Sequence, residues 1–171
     1  WTQENQTQQF AQCMAQQSEL LNAYIELEGN LGAGKTTFVR HLLQALGVEG
    51  RIKSPTYAVV EPHEALDDKG ELLAAIWHFD FYRFNDPEEF EEAGFRDLFA
   101  SQGLKISEWA QQAAGRLPLP DLKLKITVND LDGRQVEASA FTPRGLSMLQ
   151  SLQNAFASNS QLSASHAHVA P

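Results

Sequence analysis

The sequence predicts an α/β layer fold, a mixed and mostly parallel sheet with helices packed on it, and three observations predict it. An apolar run at Tyr24, Ile25 and Leu27 ends at Gly29, and an apolar-faced helix over 35–46 follows a glycine-rich turn. Further strand-like runs are separated by helical ones, the alternation from which α/β sheets are built. Two runs, 122–128 and 134–141, flank Asp132-Gly133, a hairpin turn signal that adds an antiparallel C-terminal hairpin.

Residues 1–22 read as an amphipathic helix, because Phe10, Cys13, Met14 and Leu20/Leu21 recur at roughly helical spacing among Gln and Glu. In 35–46, Phe38, Val39, Leu42, Leu43 and Leu46 share one side. Gly47 is the expected stop, since glycine takes the left-handed conformation without a Cβ penalty. A turn at Ser54-Pro55 leads to a strand expected around 56–60 and then to a polar excursion over 61–70. Residues 71–79 are mostly apolar and read as a strand. Asp86-Pro87 starts a helix, with Asp as cap and Pro at the first helical position, that runs to Ala93 with Gly94 after it. Leu104, Ile106 and Trp109 mark a short strand, and 122–128 alternate as a half-buried strand should. Thr142-Pro143 opens a last helix to about Phe156. Residues 157–171 are small, polar and without period, so a mobile tail is expected there and a single domain over 1–156. A length of 171 residues is one domain's worth.

Charge and cysteine content remove several function classes. Thirteen Lys plus Arg against 22 Asp plus Glu give a net −9, which argues against gripping bare phosphate backbone as the main mode while leaving room for a local patch. The single cysteine, Cys13, excludes an internal disulfide, a cysteine zinc site and a CxxC redox pair. No apolar run approaches the roughly 18 residues of a spanning helix. The first ten residues carry four Gln in place of a basic and apolar leader. A cytoplasmic location with no membrane partner is therefore expected.

The strongest chemical signal is Gly29-Asn30-Leu31-Gly32-Ala33-Gly34-Lys35-Thr36, a full G-x-x-x-x-G-K-T match between a strand and a helix. Glycines let the backbone curl so that successive N–H groups point at phosphate oxygens. The helix N-terminus adds partial positive charge. Lys35 would reach the β- and γ-phosphates, and the Thr36 hydroxyl would ligate Mg²⁺. The layer fold is thereby expected to be a P-loop NTPase-like three-layer one. Such a loop needs a second acid on the magnesium side, at the end of an apolar strand. Asp80, after 74–79, and Glu108, after 104–107, both qualify; either could bind Mg²⁺, hold its water or orient the attacking water.

Other candidates are weaker. His78 reads as a hydrogen-bonded structural histidine, His41 as a surface residue, and His166 with His168 are too few for a metal site. Trp77 reads as core, whereas Trp109, beside a catalytic acid, could flank a nucleotide. Asn129-Asp130-Leu131-Asp132 has the shape of a guanine-reading N-K-x-D motif, but Asp stands in place of the Lys whose stem packs on the base, and the segment falls in the hairpin turn. A GTPase is rejected on both counts, and ATP is the default nucleotide.

Three further segments stand in order after the loop: Lys53-Ser54-Pro55-Thr56-Tyr57, His78-Phe79-Asp80-Phe81-Tyr82-Arg83 and Glu108-Trp109, with Asp86-Pro87-Glu88-Glu89 and Gly94 between the last two. Together they resemble the bacterial TsaE (YjeE) family of small P-loop ATPases over roughly residues 10–145. Asn30 and Ala110 depart from the pattern, standing where Asp and Pro are usual, and neither removes a phosphate or metal contact. The resemblance implies a role in making threonylcarbamoyladenosine at the tRNA position beside the anticodon. It implies partners TsaD and TsaB, whose turnover ATP hydrolysis to ADP supports, with tRNA contacted only indirectly. It maps the nucleotide-binding loop onto Gly29, Asn30, Leu31, Gly32, Ala33, Gly34, Lys35, Thr36 and Thr37, with Trp109 near the nucleotide. It implies Thr36 and Glu108 as magnesium ligands, Lys35, Asp80 and Glu108 as the catalytic set, and Ser54, Pro55 and Thr56 as a switch-like segment.

A finger arginine is worth about 10³–10⁵ in rate, and no local feature marks one here, so a slow enzyme is expected in isolation. Arg83 is the candidate. Two readings compete. A small-molecule kinase of the P-loop class would carry an arginine-rich lid, and residues 110–150 hold only Arg116, Arg134 and Arg144, scattered. A nucleotide-gated binding module would hydrolyse ATP incidentally.

Overall fold

A computed structural model describes residues 4–67, 69–84, 87–113, 115–129 and 133–165. Strand alternation sorts the sheet residues onto two faces. On one, Ile25, Leu27, Ile76, Leu104, Ile106, Leu122, Leu124 and Ile126 are fully buried beneath helices. On the other, Phe79 and its neighbours build a separate aromatic cluster. The strands are β1 (Tyr24–Glu28), β2 (Val60–Leu66), β3 (Leu72–Asp80), β4 (Leu104–Glu108), β5 (Leu122–Val128) and β6 (Arg134–Ala140). They form one sheet in the order β2-β3-β4-β1-β5-β6. The inner four, β3, β4, β1 and β5, run parallel, and β2 and β6 pair antiparallel at the two edges.

The first face is covered by α1 (Glu4–Ala15), α2 (Lys35–Ala45) and α5 (Pro143–Ser165). Phe10 joins them, with its ring 5.8 Å from Phe38 of α2 and 5.8 Å from Phe156 of α5. The second face carries α3 (Pro87–Glu92) and α4 (Phe95–Ala100), where Phe79, Phe81, Phe90 and Phe95 stack edge and face in the geometries aromatic rings prefer. The result is the three-layer arrangement with an antiparallel C-terminal hairpin that the sequence predicts.

Five points differ from expectation. The N-terminal helix stops at Ala15; a 3-10 turn over Ser18–Asn22 folds Leu20 into the core before β1 begins. The strand expected around 56–60 is a turn until Val60 opens β2, because Ser54 and Thr56 give their hydroxyls to Asp80 and the Val59 amide bonds back to the Pro55 carbonyl. The polar stretch beginning at 61 is instead strand β2. It reads as polar because it lies at an edge: Pro62 and Glu64 face outward, and an edge tolerates the missing proline N–H. Helix α4, directly after the left-handed Gly94, was not anticipated, and α5 continues to Ser165, past the expected stop at about Phe156. Residues 166–171, which include His166 and His168, and the hairpin tip Asp130–Asp132 lie outside the described residues.

Gly47 ends α2 as expected, with φ +81°. Among the described residues, no helix is long and apolar enough to cross a membrane.

Candidate nucleotide site

Parallel strands deliver their carboxyl ends to one edge, and the register places three of them side by side. Leu27 of β1 lies opposite Glu108 of β4, and Glu108 opposite Asp80 of β3. The glycine-rich loop leaves β1 at this edge and enters α2 at Lys35. Ligands of open α/β sheets bind at such carboxyl edges.

Glycine is required where the loop starts. Gly29 has φ +155°, and a Cβ there would stand 2.5 Å from the Ile126 carbonyl oxygen of β5. Gly34, at φ +106°, turns the chain into α2, so the first amides of the helix have no intrahelical acceptor. These amides, together with the positive end of the helix dipole, form an anion cradle.

Lys35 is only 4% exposed. Its ammonium donates to the carbonyls of Gly29 at 2.7 Å and Asn30 at 3.1 Å, and lies 4.3 Å from the centre of the Trp109 ring. Burial pushes its pKa below the ordinary lysine value, and the carboxylates of Glu108 and Asp80 act in the opposite direction. Beside it the Thr36 hydroxyl donates to Glu108 Oε1 at 2.9 Å and Oε2 at 3.1 Å, as alternatives for one proton.

Glu108 has a second partner. His78 Nε2 stands 3.0 Å from Glu108 Oε1, with the imidazole fully buried and Nδ1 without a partner among the described residues. His78 and Asp80 are two residues apart on β3 and so face the same side. That spacing is the signal by which His78 could have been placed at the site from sequence.

Asp80 does something different from Glu108. Its Oδ2 accepts from Ser54 Oγ and, at 2.8 Å, from Thr56 Oγ1, while its Oδ1 accepts from the Tyr82 amide at 3.0 Å. The Asp80 amide in turn donates to the Val59 carbonyl at 2.8 Å. Asp80 therefore fastens the 54–59 segment to the sheet edge. Val59, at φ +65°, and Trp109, at φ +58°, are non-glycine residues in the left-handed region, which costs about 1–3 kcal/mol each and recurs where a segment switches or clamps a ligand. Arg83 stacks on the exposed Tyr57 ring at 4.2 Å and donates to its hydroxyl at 3.2 Å, so it belongs to the 54–59 side of the site.

A hollow of about 840 Å³ opens beside the loop. Gly29, Asn30 and Trp109 form one wall, and Glu26, Glu28, Lys123 and Lys125 another. Tyr82 braces the Trp109 ring from behind, with centroids 4.9 Å apart. The sequence reading named Trp109 but neither Tyr82 nor this charged wall, which comes together only through the β1–β5 pairing.

The donor set fits a hard divalent cation. One hydroxyl and one carboxylate converge, and Mg²⁺ takes few protein oxygens and completes its shell with phosphates and water.

A family model described as threonylcarbamoyl adenosine biosynthesis protein TsaE matches residues 1–136. The Haemophilus influenzae protein named tRNA threonylcarbamoyladenosine biosynthesis protein TsaE is 40% identical over 130 residues, covering 76% of this chain and 78% of the relative. The Bacillus subtilis protein of the same name is 32% identical over 116 residues, covering 68% of each. The crystal structure of Bacillus subtilis YdiB aligns with a TM-score of 0.67 at 24% identity, over 89% of this chain and 90% of that one, a likeness of fold.

Proposed function

The chain belongs to the TsaE family, and from that premise we propose that it is the ATP-hydrolysing component of the machinery that makes N6-threonylcarbamoyladenosine in tRNA, acting through nucleotide-dependent binding to TsaD and TsaB. The observation that carries the ATPase reading is the convergence of Lys35, Thr36 and Glu108 at the mouth of the glycine-rich loop. The relatives' names support the pathway.

In this reading the triphosphate lies in the loop over residues 29–36, held by the amides of the first α2 turn and by Lys35. Their positive charge stabilises the negative charge that shifts toward the β–γ bridge as the terminal phosphoryl leaves. Thr36 and Glu108 would hold Mg²⁺, which supplies further neutralisation of the phosphates. His78 keeps the Glu108 carboxylate aimed at Thr36. Trp109 flanks the nucleoside in the adjoining hollow. Asp80 couples the terminal phosphate to the 54–59 segment, whose Ser54 and Thr56 on either side of Pro55 it holds and whose Val59 has a strained backbone. A strained segment fastened by one carboxylate is suited to rearrange when that carboxylate changes partner.

The test is phosphate release by the full chain alone and with purified TsaD and TsaB, together with mass-spectrometric readout of modified adenosine in tRNA. Slow hydrolysis alone, faster hydrolysis with the partners, and modification lost in Lys35→Ala support the reading. Modification sustained by Lys35→Ala, or rapid partner-free transfer to a small acceptor, overturns it; the latter would mark a kinase.

A further inference from the structure

Among the described residues, most cations are occupied: Lys35 by loop carbonyls, Arg83 by Tyr57, and Arg96, Arg116, Lys123, Lys125 and Arg144 by carboxylates. The side chains of Arg40, Arg51, Lys53 and Lys69 make no hydrogen bond, ion pair or ring contact with any described residue. Three of these four line a single recess of about 570 Å³. Arg40 comes from α2, one helical turn beyond Thr36; Arg51 and Lys53 come from the connection toward β2; Gln44 and Ser54 are among the other lining residues. No acid lines it. Glu49, the nearest acid along the chain, lines the neighbouring hollow with His63 and Trp77. In a chain of net charge −9, three cations gathered around one concavity without a counter-charge repel one another, and an anion in the recess relieves that repulsion.

We propose that this recess binds backbone phosphates of an RNA, so that the chain itself contacts the nucleic acid; the identity of the ligand rests on the tRNA-modification reading above. One feature favours RNA over an acidic protein partner, since arginine forks match carboxylate and phosphate oxygens alike. The described lining lacks the exposed apolar centre that a protein interface needs, Ile52 being 3% exposed. Ser54 lines the recess and also bonds Asp80, so RNA contact and the nucleotide site share a residue, and each should alter the other's affinity.

The probe is a fluorescein-labelled, unmodified tRNA anticodon stem-loop, titrated with the full chain alone and read by anisotropy. Three phosphate contacts predict a log–log salt slope near −2, so raising KCl from about 50 to about 200 mM should weaken binding by roughly 10- to 20-fold. Each single Arg40→Ala, Arg51→Ala or Lys53→Ala should weaken binding and flatten the slope by about one contact, and R40E/R51E/K53E should abolish binding. The triple variant should keep the wild-type melting temperature and the wild-type affinity for a fluorescent ATP analogue. Wild-type protein that fails to bind the stem-loop, or a folded triple variant that binds it unchanged, overturns the proposal. So does polyglutamate displacing the RNA as effectively as unlabelled stem-loop, which would assign the recess to an acidic protein. Loss of ATP-analogue affinity in the folded triple variant would assign it to the nucleotide's own phosphates and likewise overturns it. All these readings are independent of TsaD, TsaB and phosphate release, so they fail or succeed apart from the ATPase reading.

Discussion

The Thr36 hydroxyl lies within hydrogen-bonding distance of both carboxylate oxygens of Glu108, at 2.9 and 3.1 Å, although 72 positions of sequence separate the two residues. The contact exists because β1 and β4 are parallel neighbours, which brings the start of α2 and the end of β4 to one edge of the sheet. Replacing Thr36 by Val keeps the side-chain shape and removes the oxygen. ATP hydrolysis should fall by about 10²-fold, with the melting temperature little changed. Glu108→Gln, which keeps a hydrogen-bonding oxygen and loses the charge, should lose a similar factor. A Glu108→Gln protein that releases phosphate at the wild-type rate would remove Glu108 from the metal shell.

Among the described residues His78 reaches the candidate nucleotide site only through Glu108, so the role proposed for it is positioning. Removing a partner of this kind costs roughly 10- to 100-fold in metal affinity. His78→Ala should therefore raise the Mg²⁺ concentration needed for half-maximal ATP binding by that factor, measured by calorimetry at graded Mg²⁺. His78→Gln, whose amide N–H₂ can donate to Glu108, should restore most of the loss. If both variants shift Mg²⁺ dependence equally, packing and not the hydrogen bond sets it.

The clasp of Ser54 and Thr56 on Asp80 makes the 54–59 segment resistant to opening. Ser54→Ala with Thr56→Val leaves the Asp80 carboxylate with only the Tyr82 amide, and the 54–59 segment with the backbone bond from Asp80 to Val59. Limited proteolysis should then cut near Tyr57 severalfold faster, and the stimulation of hydrolysis proposed for TsaD and TsaB should shrink while ATP affinity holds. Unchanged cutting and unchanged stimulation would make the clasp a passive turn.

The glycine-rich loop, β1, α2, β3 and β5 were legible in the sequence because each carries a local signal: an apolar period, a glycine stop, or a motif whose spacing encodes its own geometry. Strand β2 was not, because an edge strand with one solvated face has a polar composition, and Pro62 reads locally as a breaker. The partners of Asp80 and Glu108 were not legible either. Ser54 reaches Asp80 across 26 residues and His78 reaches Glu108 across 30, and only the strand order sets those distances. Position alone left Asp80 and Glu108 as equivalent strand-end acids, and only the family resemblance told them apart; the geometry separates them physically, Glu108 facing the loop hydroxyl and Asp80 the 54–59 segment.

Gly145, in the first turn of α5, packs against the backbone of the residue that leads into β5. A Cβ there would collide with the Asp121 carbonyl, whose residue is fixed by its side chain accepting from the Tyr24 amide at 2.8 Å. Alanine normally favours a helix over glycine by about 1 kcal/mol. Here the collision should dominate, and Gly145→Ala should destabilise by about 1–3 kcal/mol, the range for overpacking. Urea unfolding measures it, and a stabilised variant would show that α5 can shift away from β5.

His63 sits on edge strand β2 with its Nε2 buried and without a partner among the described residues. Burial pushes its pKa below the unfolded value of 6.5; Glu61 opposes that shift and His78 adds to it. The unfolded chain therefore takes up a proton at a pH where the folded chain does not. Uptake by the unfolded state favours unfolding as pH falls, so this residue's contribution is fully present above pH 6.5 and is lost as pH drops through the lower folded value. His63→Leu removes the titration and keeps an apolar body in the same place. Between about pH 7.5 and about pH 5.5 the urea midpoint of the wild type should fall further than that of His63→Leu. Carboxylate titration is common to both proteins over this range, so the difference between them isolates the imidazole. Parallel pH profiles would mean that a protonated His63 finds a partner or water in the folded chain.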